Sequence, residues 1–209
     1  MGSRGVFAKV MWFVVAGLLL SCGGHQGIRP QSVPEQLDVC NCTPAGPASA
    51  DFRHNQKHVP LPNSPAQEIT VATMLTWPQT PVPGPDAART GRELQMFHIA
   101  RAFVQLSYEV QSDCDIHMEI SDSADKTAAR VIVETPADGE YCTARRSFQA
   151  QMAAQGFTLG TLFTAAEVPQ PVPVDVLGLA FLDDPHSGRG SAQVQTIWEI
   201  HPANVKIAP

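Results

Sequence analysis

Cys142-Thr143-Ala144-Arg145-Arg146-Ser147-Phe148-Gln149-Ala150-Gln151-Met152-Ala153-Ala154 sets Phe148 and Met152 four residues apart among small side chains, which is helical spacing. Gly156 follows where a helix stop accepts glycine. The neighbouring segments read as strands, so the position of this helix among them decides the fold. Upstream, Leu94 to Val110 alternates, with Ala100, Ala102, Val104, Leu106, Tyr108 and Val110 on one face and Arg101, Gln105, Ser107 and Glu109 on the other. Asp113 to Ser121 alternates again: Cys114, Ile116, Met118 and Ile120 point one way, Asp113, Asp115, His117 and Glu119 the other. Ala129 to Glu134 is a third strand, stopped by Pro136. Downstream, Thr158 to Pro173 reads as loop, Val174 to Phe181 as the fourth strand, Asp184 to Ser191 as a polar loop, and Thr196 to Ile207 as the last strand.

The order β-β-β-α-β-β is that of an OB-like five-stranded barrel with its helix between strands three and four, expected over residues 89–209. Eleven of the 18 prolines precede it, between Pro30 and Pro85. Proline removes donors and favours extended, solvated chain, so residues 22–88 read as a tether, with a candidate strand at 68–75.

The chain begins with Arg4 and Lys9 ahead of an apolar run of eleven residues, Val10 to Leu20. At ~1.5 Å rise per residue this is too short for a ~30 Å hydrocarbon core. It suits the apolar region of a signal peptide spanning residues 1–21. Leu19-Leu20-Ser21-Cys22 resembles the lipobox of bacterial lipoproteins. That resemblance implies export, fatty acylation of Cys22 and a partner in the lipid bilayer. Gly23 after the cysteine resembles outer-membrane sorting in a Gram-negative envelope.

Losing Arg4 and Lys9 with the signal takes the formal charge from −6 by two units to −8. Nucleic-acid affinity rests mainly on neutralising phosphates, so the balance argues against that partner. Besides Cys22 there are four cysteines, an even number that suggests disulfides in an exported protein. Cys114–Cys142 is the expected pair, since both lie in the folded part. Cys40 and Cys42, two apart, could close a small ring, pair with other chains or bind a metal.

Asp113, Asp115 and His117 share one strand face at about 6–7 Å per two residues. Glu199 and His201 do the same on the last strand, and His186 lies in the loop between strands. These carboxylates and imidazoles could hold a divalent metal such as Zn²⁺, with Arg145 as a candidate anion holder. The strong metal spacing H-E-x-x-H is absent, as are a G-x-S-x-G elbow and a phosphate-cradling glycine loop. Equally, His117 and His201 could hydrogen-bond to carboxylates and lock strand ends, with Glu134 and Arg145 as a structural ion pair and Pro202 ending the pairing.

Asp113-Cys114-Asp115-Ile116-His117-Met118, Glu134-Thr135-Pro136, Cys142, Arg145, Gly178 to Asp183 with His186, and Glu199-Ile200-His201-Pro202 together resemble a family of small exported bacterial domains. Its pattern is D-x-D-I-H-L, E-x-P, cysteine, arginine, G-x-x-F-x-D-x-x-H and E-L-H-P. The resemblance covers about Glu93 to Ile207 and carries no established reaction. The expected role is therefore a lipid-anchored binding or structural module of the cell envelope, with an envelope protein or small ligand as partner. The alternatives are a divalent-metal-dependent hydrolase acting on an anionic substrate, and a barrel that binds single-stranded nucleic acid or oligosaccharide.

Overall fold

The computed structural model describes residues 37–45, 51–110, 112–161, 166–185 and 191–209. The signal segment, Cys22 and His186 lie outside the described residues. The elements are α1 (His54–Lys57), β1 (Gln67–Ile69), α2 (Val71–Leu75), β2 (Met96–Glu109), β3 (Ile116–Ser121), β4 (Arg130–Thr135), α3 (Cys142–Ala154), β5 (Gly160–Thr161), β6 (Ala166–Leu182) and β7 (Val194–Ile207). Antiparallel pairs join β2 to β3 and β3 to β4; β4 then runs parallel to β7, β7 antiparallel to β6, and β6 returns antiparallel to β2. This closes a five-stranded barrel in OB-like order, with α3 between the third and fourth of its strands. Val104, Ile116, Met118, Ile120, Val131, Val133, Val174, Val176 and Ile200 fill its core, and α3 adds Phe148 and Met152. Gly156 ends that helix at φ +79°, a left-handed position where a side chain would crowd the backbone.

The alternation expected in β2 slips where its pairing shifts between Val104 and Leu106. Gln105 is consequently buried, and its Nε2 donates to Ser121 Oγ, Ser123 O and Asp125 O. β6 starts well before the expected Val174, within the proline-rich stretch read as loop. Pro169 and Pro171 lie where the pairing with β2 slips between Glu167 and Val172, so their missing donors have no paired partner in β2. Pro173 turns its missing donor away from β2, since its carbonyl, on the same side, accepts from Ala208 N at 2.8 Å. β7 likewise runs past Pro202 to Ile207 rather than ending at it. The register shift between Gly178 and Ala180 absorbs the proline, with Gly178 opposite Ala203 and Ala180 opposite Ile200. A Cβ on Gly178 would collide with Ile200 Cγ2 and Pro202 O, so glycine is required at that close approach.

The tether expectation does not hold for the described residues before position 89. They pack as an arm on the barrel, within one compact unit. The candidate strand at 68–75 is a three-residue strand followed by the helical turn α2, whose amides of Val71 and Ala72 donate to Asp122. Trp77 packs on Phe97 and edge-on to Trp198. Arg53 forms a bidentate pair with Glu93 at 2.7 and 3.1 Å, and Arg89 donates to Gln56 O, Ala180 O and His201 O. Charged side chains spanning to carbonyls thus add to the apolar contacts that Val39, Ile69, Val71, Met74 and Trp77 make with the core. The expected Cys114–Cys142 pair is also replaced: Cys40 bonds Cys142 and Cys42 bonds Cys114. Each bridge ties the arm to the barrel, which explains why two cysteines only two residues apart do not pair with each other.

Candidate site: a buried acid–imidazole cluster

The start of β3 builds the first part of the site. Cys114 adopts φ 71°, and its N–H donates to Val110 O at 2.8 Å, closing the turn after β2. A left-handed non-glycine residue costs roughly 1–2 kcal/mol, and here the Cys42 bridge holds it. Asp113 therefore stands in a turn rather than on the strand face, where its Oδ1 accepts from Asp115 N at 3.0 Å. Asp115 is fully buried. Its Oδ1 accepts from Ala137 N at 3.0 Å, and its Oδ2 turns toward two imidazoles: His201 Nε2 at 3.0 Å and His58 Nε2 at 3.5 Å.

His201 comes from β7, where the register shift at Gly178 carries the chain inward. Its Nδ1 lies 3.1 Å from Glu134 Oε2 and 3.8 Å from Glu199 Oε2. The other oxygen of Glu134 takes His117 Nδ1 at 2.6 Å, and His117 stacks on Tyr108. Five of the expected site residues thus gather in one region: Asp113, Asp115, His117, Glu199 and His201. Asp115 and His201 belong to its centre, His117 to its far side, and Asp113 to its rim.

Burial and charge compete inside the cluster. Burial alone would depress His201, but the carboxylates of Asp115, Glu134 and Glu199 outweigh it and hold its pKa well above the usual imidazole value. His117 is raised in the same way, Glu134 overcoming its burial. Burial would raise Glu134, yet His117 and His201 hold it well below the usual carboxylate value. Asp113 is pushed up to about 7 by burial first and by Asp115 and Glu134 next.

Arg145 does not face the cluster as an anion holder. It is buried, and its guanidinium donates to Val39 O, Thr135 O and Cys114 O while pairing with Glu109, not with Glu134. All its directions are committed to fastening the arm to the strand ends. Phe97, Phe103 and Tyr108 could stack on bases or sugars only where exposed; Phe97 and Tyr108 are buried and Phe103 is half-buried.

Sequence reasoning missed His58, Glu134 as a bridge, and Asp138. His58 Nδ1 pairs with Asp138 Oδ2 at 2.8 Å, which aims its Nε2 at Asp115. The available signal was the run Asp51-x-x-His54-x-x-x-His58, whose three- and four-residue spacings share a helix face. It lies in the stretch read as spacer. His54 stacks on His58 with ring centroids 3.9 Å apart. Asp51 and His54 also line a cleft of about 530 Å³ with Gln56 and Asp86, so the row of rings leads from the surface to the buried carboxylate.

Comparison of the chain with protein-family descriptions, with curated proteins and with solved structures returns no match. Among the described residues, no helix is long and apolar enough to cross a membrane.

Proposed function

We propose that this protein is an exported lipoprotein of the bacterial cell envelope, held on the bilayer by acylated Cys22, and that its barrel is a binding module. The lipobox-like Leu19-Leu20-Ser21-Cys22 supports the anchor. The two bridges between arm and barrel support an oxidising compartment. The observation that carries the binding role is that His54, which lines the cleft, stacks on His58, whose Nε2 faces the buried Asp115 beside His201. Binding is favoured over hydrolysis because Asp115 and His201 are completely enclosed and Arg145 is committed to backbone carbonyls. It is favoured over single-strand recognition because the charge is acidic and two of the three aromatics, Phe97 and Tyr108, are buried.

The anchor is tested by expressing the full chain with a clickable fatty acid in a bacterium that processes lipoproteins. The expected product starts at Cys22, carries label and sediments with membranes, while Cys22→Ser loses label and cleavage. An unlabelled product that retains its first 21 residues would sink the reading.

A further inference from the structure

We infer that His58, Asp115 and His201 form a divalent-metal site, with Zn²⁺ the best-matched ion. The inference rests on the binding role proposed above and names the ligand class for the same cluster.

The first argument is spacing. One ligand atom from each residue lies within 4.8 Å of the other two, and Asp115 Oδ2 is faced by both His58 Nε2 and His201 Nε2. Their two contacts, 3.0 and 3.5 Å, bracket the ~3.3 Å edge of a tetrahedron with metal bonds of about 2.0–2.1 Å. The second argument is what these atoms lack. All three are buried, and none completes a hydrogen bond. Buried polar atoms normally find partners, so three converging orphans call for a shared one.

The third argument is orientation. A metal-bound histidine characteristically gives its other ring N–H to a carboxylate. Here His58 does, its Nδ1 meeting Asp138 Oδ2 at 2.8 Å, while His201 Nδ1 lies 3.1 Å from Glu134 Oε2 in ion-pair contact without completing a hydrogen bond. Asp115 repeats the pattern in carboxylate form, one oxygen fixed by Ala137 N and the other turned inward. Two histidines and a carboxylate suit Zn²⁺, and three protein ligands leave one coordination position.

Among the described residues, two rival sets share a residue with it: Glu134, Glu199 and His201, in which Glu134 is already engaged by His117 Nδ1 at 2.6 Å, and Asp51, His54 and His58 at the cleft mouth. Asp51 already has a cation, the Lys57 ammonium at 2.9 Å. Asp115, by contrast, has no lysine or arginine in ion-pair contact among the described residues. Of the Asp51 and Asp115 sets, the inner one is therefore the one whose carboxylate has no ammonium already seated on it.

The test uses the detergent-solubilised full chain, stripped with chelator and titrated with ZnCl₂ against a chromophoric competitor. Wild type is expected to take up one Zn²⁺ per chain and to melt higher with it. His58→Ala should weaken uptake at least about 100-fold, and Asp138→Asn, altering a half-exposed residue behind the ligand, about 10-fold. His54→Ala, which removes a ring stacked on His58 but none of the three ligands, should weaken uptake by less than Asp138→Asn does. Melting in chelator checks that each variant folds; if His58→Ala does not, Asp138→Asn and His54→Ala still decide. No saturable uptake by wild type, uptake indifferent to His58→Ala and Asp138→Asn, or uptake lost in His54→Ala overturns the assignment. An acylated chain that binds no zinc would remove the metal and leave the anchor; an unacylated chain that binds zinc would do the reverse.

Discussion

At the scale of single residues, Gly178 and the buried histidines make opposite kinds of demand. Gly178 is a steric requirement. Adding one methyl meets Ile200 and Pro202 across the strand pair, and overpacking of this kind costs about 1–3 kcal/mol. Gly178→Ala should lower the urea midpoint accordingly; an unchanged midpoint would show that the register shift relaxes freely. The histidines are an electrostatic requirement that depends on pH. His117 and His201 sit above their ordinary 6.5, so their contribution is complete below that pH and is lost as pH rises through their folded values. Glu134 sits below 4.5, so its contribution is present above that pH and lost only as acid passes its folded value. Asp113, raised from 3.8 to about 7, adds a cost that grows across that interval. The melting temperature of the metal-free protein should therefore be highest in weak acid and decline from neutral toward alkaline pH, with a shallower decline in His117→Gln. A profile that climbs with pH would contradict the network. Asp115, His117 and His201 were legible from sequence because strand alternation places alternate residues on one face. His58 was not, because its meeting with Asp115 is a contact between distant segments that no local period encodes.

At the scale of elements, the strands and α3 announced themselves, and prolines caused the errors. Pro169, Pro171 and Pro173 masked the first half of β6 because a sequence records the missing donors but not where the pairing slips or which way they face. Pro202 looked like an end to β7 because the compensating glycine lies on another strand. The disulfides were misassigned for a related reason. Cys40 and Cys42 were placed in solvated chain, when Val39 beside them is buried and Arg145 grips its carbonyl. Replacing Cys40 and Cys142 together by alanine opens a crosslink spanning 102 residues and should cost about 2–5 kcal/mol in the urea transition. Trypsin should then cut at Arg53 far faster than in wild type. Equal rates would mean that the arm stays docked without the bridge.

At the scale of the whole molecule, the barrel is the framework and the arm completes the site. The barrel supplies Asp115, Glu134, Glu199 and His201, and the arm brings His58 to them. Composition hid this partnership, because the arm has few apolar runs and fastens itself through Arg53, Arg89 and Arg145 reaching across to carbonyls and carboxylates. A long-range ion pair leaves no periodic trace.

The prolines of β6 have one more effect. Pro169 and Pro171 stand where β6 slips out of pairing with β2, and a strand rim with free amides is where a second copy of a protein could add itself and begin an insoluble stack. With every second amide deleted there, a neighbour sliding alongside finds half the ladder without rungs. Copies standing shoulder to shoulder on a crowded surface can then brush past one another without zipping together.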